Sequence, residues 1–240
     1  MATWIAHLRI AENLLERIPG LDPGQFAIGN IAPDAGLPDK KWKKFNPPPE
    51  VTHFKRSKSV HKDIADLDFY REYLANIRPD DGLRYSYRLG YFFHLITDNL
   101  WTVQVGKPTS ERFADQFTAD KSFIWEVKKD WYGLDHIYVR AHPDCLYWRV
   151  FLDARPAAAE LDFLPPQVLP RQLKHIKAFY QRDDDEIQAM MARPMMYLPE
   201  EEMNRFVEDA TERIYIIYQI LWPTPPELNG KYSALELIES

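Results

Sequence analysis

Residues 83–103 repeat their large side chains every three to four positions, and no other stretch restricts the fold as strongly. Tyr87, Gly90, Tyr91, His94, Leu95, Asp98 and Trp101 fall along one stripe of a helix. Such a stripe needs other helices to cover it, and the chain offers them. Near the start, Trp4, His7, Leu8, Ala11, Leu14, Leu15 and Ile18 share a face, with Thr3 as N-cap and Pro19-Gly20 as the stop. Asp22-Pro23 opens a short helical turn that ends at Gly29-Asn30. Residues 31–34 then leave in an extended path, because Pro33 disfavours helix at Ala32. Further helices are expected over 61–77, 110–118, 121–131, 133–140, 144–152, 169–181 and 199–221. With 19 prolines against 9 glycines, Pro-marked breaks between helices fit better than a turn-rich β fold. The expectation is an all-α chain, one multi-helix bundle over 1–240 built around a metal site, with 222–240 a loose tail. Residues 35–60 carry no period and read as a long loop, a kind of segment that is functional or disordered in a compact domain. The Pro-rich stretch 164–170 reads as a loop inside the same domain.

Thirty-six acidic residues against 30 basic ones leave a net charge of −6, which argues against a stable nucleic-acid partner. Lys40, Lys41, Lys43 and Lys44 form the densest basic run, a solvated loop before a ligand-steering patch. Cys145 is the only cysteine, so neither an intrachain disulfide nor a thiolate metal cage can form. Any metal must rest on histidine and carboxylate. The opening residues have no signal-peptide pattern and no run of about 18 apolar residues occurs. A cytoplasmic protein without a transmembrane segment, retaining Met1 or Ala2, is the expectation; its oligomeric state stays open.

The chemistry centres on His94-x-x-x-Asp98. Residues four apart on a helix project together, and imidazole with carboxylate is a donor pair that a thiol-free metal site can use. Tyr91, Phe92, Phe93, Leu95 and Trp101 surround them, and a carboxylate buried there is costly unless it is paired or holds a cation. Alone, the pair also fits a mutual ion pair or a solvent-facing pair. Asp34 fits a turn or N-cap as well as a ligand, His53 a surface position, and His7 a satisfied core histidine. Asp130, Asp135 and His136 form a second set among aromatic residues, readable also as a capped helix junction with solvated carboxylates. His61, His142 and His175 read as surface or structural, and Cys145 as core.

Taken together, W-x-x-H near the start, G-N-I-A-P-D, T-H-F and G-Y-F-F-H-L-I-T-D-N-L-W resemble the zinc-dependent phospholipase C family over about residues 4–101. The resemblance implies a helical bundle around zinc and hydrolysis of phosphodiesters, of nucleic acid in the related P1-type nucleases. It implies metal ligation by His7, Asp34, His53, His94 and Asp98, with Asp98 bridging and Asp34 also the general base. The pattern departs from the family in three places. Trp4 is preceded by three residues, whereas secreted members ligate metal through a terminal Trp. Gln104 stands where the family has a histidine six residues beyond the bridging Asp. No later His-x-x-x-Glu pair occurs. One or two ions are therefore expected rather than three, zinc by resemblance, with Mn or Fe also compatible with a carboxylate-rich site. The expected activity is metal-dependent hydrolysis of a small phosphorylated substrate. The alternatives are a His/Asp-metal phosphohydrolase of nucleotides or small molecules, and a metal-binding protein without turnover.

Overall fold

The computed structural model describes residues 1–39, 44–56, 63–157 and 161–238. Lys40, Lys41, Lys43 and His61 lie outside the described residues. In chain order the helices are α1 (Trp4–Leu15), α2 (Pro23–Gly29), α3 (Pro49–Thr52), α4 (Asp66–Phe69), α5 (Gly82–Trp101) and α6 (Lys107–Arg112). They continue with α7 (Ala114–Ala119), α8 (Ile124–Ala141), α9 (Val168–Tyr180), α10 (Asp185–Ala192) and α11 (Glu200–Leu221). Among the described residues the only sheet is a two-stranded antiparallel ribbon, β1 (Leu37–Pro38) with β2 (Phe45–Asn46), pairing Leu37 with Asn46 and Pro38 with Phe45. The chain is all-α and a single domain. No helix among the described residues is long and apolar enough to cross a membrane.

Helix α5 is buried on every side from Leu89 to Trp101, which makes it the axis of the bundle rather than a surface helix with one wet face. Phe92 and Phe93 are fully buried on it, each worth about 2–3 kcal/mol of apolar transfer. Helix α2 crosses α5 with backbone against backbone. A Cβ on Gly29 would sit 2.1 Å from the Tyr87 carbonyl oxygen, and one on Gly90 2.4 Å from that of Phe26. Only hydrogen fits at either position, so these two glycines set how close the elements come. Helix α1 enters with the Thr3 hydroxyl accepting from the Ala6 amide, and α2 with the Asp22 carboxylate accepting from the Gln25 amide.

Several expectations need correcting. Residues 32–34 are not extended but a 3-10 turn (Ala32–Asp34), with Pro33 in its first turn, where a missing N–H leaves no bond unmade. The segment 121–131 and 133–140 is one helix, α8, so Asp130, Asp135 and His136 do not flank a junction. Gly133 lies mid-helix because α10 passes close: a Cβ there would stand 2.9 Å from the Met190 carbonyl oxygen. Helix α10 itself has no counterpart in the sequence reading, although Asp184 caps it by accepting from the Ile187 amide and Asp185 and Glu186 occupy its first turn. Residues 110–118 divide at Phe113 into α6 and α7.

The expected loose tail is docked. Ser233 and Glu236 form a reciprocal capping box on the 3-10 helix Ala234–Leu237, and Ala234 and Leu235 are buried. The anchor is Asp66, fully buried at the start of α4. One of its oxygens accepts from the Ala234 amide at 2.6 Å; the other accepts from the Ser233 hydroxyl at 2.7 Å and the Asn99 amide group at 2.8 Å.

Candidate metal centre

Five side chains converge between α1, the 3-10 turn after α2, the end of α3 and α5. His7 comes from the buried face of α1, and Asp34 closes the 3-10 turn. His53 caps α3, and His94 and Asp98 share one face of α5. Two local features aim His53. The Tyr91 hydroxyl donates to the Thr52 carbonyl at 2.6 Å, pinning α3 to α5. Phe54 then turns the chain away at φ 52, a left-handed value uncommon for a residue with a side chain.

His53 Nε2 stands 3.4 Å from each of Asp34 Oδ1, Asp98 Oδ2 and His94 Nε2. His94 Nε2 is 3.5 Å from the same Asp98 oxygen, and the other Asp98 oxygen is 3.5 Å from His7 Nε2. These separations are long for hydrogen bonds between charged or polar groups. They match another geometry: donors about 2.0–2.1 Å from a tetrahedral zinc stand about 3.3–3.4 Å from one another. His7 Nε2 and Asp98 Oδ2 are buried without a hydrogen-bond partner among the described residues. Donor atoms of His7, His94 and Asp98 lie within 4.8 Å of one another, and so do those of Asp34, His53 and His94. The donor set fits a divalent cation.

The surrounding groups orient these donors. The Asn30 carbonyl can only accept, so His94 Nδ1, 2.7 Å away, carries the proton and the lone pair of Nε2 faces the cluster. Thr52 Oγ1 lies 3.0 Å from His53 Nδ1 and holds the orientation of that ring. The Trp4 indole N–H donates to Asp34 Oδ2 at 2.9 Å, leaving Oδ1 toward His53. The Ala2 amide donates to Asp98 Oδ1 at 2.7 Å. His7 and His94 stack with ring centroids 3.8 Å apart. Sequence reading noticed Trp4 but assigned it no part through its indole, and it missed Ala2, Asn30 and Thr52. Asn30 and Thr52 lie in the G-N-I-A-P-D and T-H-F runs, but the Asn30 carbonyl and the Ala2 amide act through backbone groups, which leave no mark in residue type.

Electrostatics follow from burial and crowding. Burial, with His94 alongside, pushes the His7 imidazole down to about 4, so it is neutral and able to ligate. Burial acts to lower His94, but Asp98, Asp34 and the Asn30 carbonyl outweigh it and raise the ring. Burial acts to raise both carboxylates. At Asp34 the His53 and His94 imidazoles overcome it, and at Asp98 the terminal ammonium does so first, followed by His94 and His7. Asp34 is held below and Asp98 well below the usual carboxylate range. Both stay ionised, as metal ligation requires.

Asp34 also borders a cavity of about 620 Å³ whose walls include Trp4, Trp125, Lys128, Tyr132 and His175. The cluster therefore has an opening on its Asp34 side.

The structure does not bring the second set together. Asp130 accepts from the Tyr197 amide at 2.6 Å and pairs with Arg193 at 3.3 Å. Asp135 accepts from the Thr3 hydroxyl at 2.7 Å and the Tyr180 hydroxyl at 2.5 Å. His136 Nδ1 lies 3.0 Å from Arg140. Three successive partners take them in three directions, because positions 130, 135 and 136 do not share a helical face. Gln104 bonds to Asp209 on α11, away from the cluster. His142 is exposed and stacked on Tyr138. His175 packs edge-on to Trp4 at the cavity. Cys145 is buried, and burial raises its thiol. Compared with protein-family models, curated proteins and solved structures, the chain matches none.

Proposed function

We propose that His7, Asp34, His53, His94 and Asp98 hold a divalent cation, zinc in the first instance, and that the protein hydrolyses phosphate esters. One observation carries this reading: four donor atoms, His53 Nε2 and its three imidazole or carboxylate neighbours at 3.4 Å, are spaced for a shared ion rather than for hydrogen bonds. Two or more ions would need further donors, and Asp130, Asp135 and His136 are engaged elsewhere. A single ion is the simplest occupancy. The cavity beside Asp34 favours catalysis over a purely structural ion, since structural sites are closed and catalytic ones keep an open side. Phosphate esters are chosen on the motif resemblance and on the cations in the cavity wall. A cytoplasmic setting belongs to the same proposal and is motivated by sequence alone.

When bound, the cation acidifies water and offsets charge on the phosphoryl oxygens. The chain's residues do the rest. Trp4 holds Asp34 Oδ2, so Oδ1 faces the cluster, and the ionised carboxylate would take the proton of the attacking water. Asn30 and Thr52 fix the rings that hold the ion.

Elemental analysis of untagged protein tests the first half and should find at least one divalent ion per chain. A panel of model phosphate esters tests the second: turnover should vanish with chelator and return with metal. Asp34→Asn, compared at equal metal occupancy, should lower kcat about a hundredfold. No metal after supplementation sinks the centre. Metal without turnover of any ester sinks the hydrolase.

A further inference from the structure

With a divalent ion in place the cluster is electrically balanced, because Asp34 and Asp98 each carry one negative charge. Beyond the terminal ammonium beside Asp98, attraction for an anionic substrate then falls to side chains of the cavity. Lys128 and Arg171 line it, as does Glu186. Glu186 is already matched, with its Oε2 2.6 Å from Arg182. Lys128 and Arg171 have no carboxylate in ion-pair reach among the described residues. Lys128 is half-buried on α8 and stands 5.0 Å from the Trp125 ring centroid. Burial lowers its ammonium while Asp34 and Asp98 draw it up, so it shares its field with the cluster. A partly desolvated, unpaired lysine beside a catalytic candidate is expensive unless a ligand neutralises it.

The two cations are repeated features of the wall. On α8, Trp125, Lys128 and Tyr132 face the cavity; on α9, Arg171, His175 and Phe179 do so. Spacings of three and four place each trio on one helical face. Each helix thus offers one cation among flat rings.

We propose that Lys128 and Arg171 are an anion-binding pair that selects a phosphomonoester dianion over a phosphodiester monoanion. The proposal rests on reading the cluster as a hydrolytic metal centre. A monoester carries about −1.5 to −2 at neutral pH, which two unpaired cations match; a diester would leave one of them uncompensated. The reaction adds water oxygen to phosphorus and breaks the ester P–O bond. Asp34 takes one proton from water, which solvent carries on to the departing alkoxide, and the other stays on the inorganic phosphate that is the second product. Arginine would grip the phosphoryl oxygens in a fork and lysine as a point charge.

The test compares wild type, Lys128→Met, Arg171→Met and the control Lys174→Met, each checked for metal content. Lys174 is exposed on α9 and does not line the cavity. Inorganic phosphate is titrated into metal-loaded protein by calorimetry, and kcat/KM is measured on p-nitrophenyl phosphate and bis(p-nitrophenyl) phosphate. Wild type should prefer the monoester by about tenfold or more, and each cavity variant should weaken phosphate binding about tenfold. Monoester kcat/KM should drop about a hundredfold and diester less than about threefold, while Lys174→Met changes neither. Unchanged phosphate binding in both variants, or equal losses on both esters, overturns the pair. If the loaded protein turns over neither ester, the hydrolase reading fails. The phosphate titration then judges the pair by itself, weaker binding in the variants upholding it and equal binding overturning it.

Discussion

Asp98 and Asn99 are neighbours on α5, yet they belong to two buried polar regions built on opposite rules. Around Asp66, reached by Asn99, neutral donors close on a carboxylate at 2.6–2.8 Å and every contact is a hydrogen bond. Around Asp98, acceptors and imidazoles face one another at 3.4–3.5 Å, and Asp98 Oδ2 has no partner. The first arrangement is complete as folded and ties the C-terminal segment to the core. The second is left incomplete by the chain, with spacings that a cation would complete. Burial of a carboxylate is therefore not in itself a sign of function; the spacing of what surrounds it is.

The comparison breaks first, and by the largest effect, at the cluster. Asp98→Asn or His94→Ala should cut divalent-metal affinity by about a hundredfold or more, beyond the usual effect of an orienting neighbour. Asp66→Asn should leave it within a few-fold. Competition with a chromophoric chelator reads all three, and a similar loss in Asp66→Asn would erase the distinction.

Stability should show the converse. Asp66→Ala strands the Asn99, Ser233 and Ala234 donors and should cost about 3 kcal/mol in urea unfolding with metal affinity unchanged. A loss below about 1 kcal/mol would mean that the tail is held by its apolar contacts instead.

The two regions should also respond to pH with opposite signs in metal-free protein. Burial pushes Asp66 up to about 7 despite its hydrogen bonds, and Asp135 likewise to about 7. A carboxyl raised in the folded state binds protons that the unfolded chain has released. Its contribution is full below about pH 4 and is lost as pH rises through 7. Asp34 and Asp98 are lowered, so theirs is present above the carboxylate range and lost on acidification. Between pH 5 and 8 each raised carboxyl should take away on the order of 2 kcal/mol, while His7 and His136, lowered to about 4, return a similar amount each. Asp66→Asn with Asp135→Asn removes only the first part, so the double variant should gain stability relative to the parent as pH rises. Parallel profiles of parent and double variant over that window would contradict it.

The smallest effects lie at the orienting groups. Trp4→Phe keeps the ring and removes the N–H on Asp34, and should weaken metal about tenfold. His175→Ala, at the cavity but outside the cluster, should not change metal content. Equal losses in the two would show that general packing at the cavity, and not the Asp34 hydrogen bond, sets affinity.

How much of this was legible in sequence differs between the regions. The all-α class and the faces of α1, α5 and α11 were readable because apolar periodicity reports which side of a helix is covered. His7, Asp34, His53, His94 and Asp98 were readable as a set only through motif order, since residues far apart in sequence have no local signature of meeting. The Asp66 anchor was not readable at all. An Asp, an Asn and a Ser at 66, 99 and 233 each look like ordinary surface residues until the fold assembles them. The second set failed for a plain geometric reason: proximity in sequence at 130–136 is not proximity of side chains on a helix.

The glycine crossing of α2 and α5 has a consequence for how an ion is received. His94 hangs from a peptide carbonyl whose position is set by Gly29 and Gly90, with no side-chain rotamer in between. Such a donor is posed before its ligand arrives, so binding freezes little additional motion there and should be enthalpy-led at this helix. Amide hydrogen exchange along the middle of α5 should then be slow and nearly identical with and without metal, whereas the chain around His53, which hangs from the short α3, should gain protection on loading.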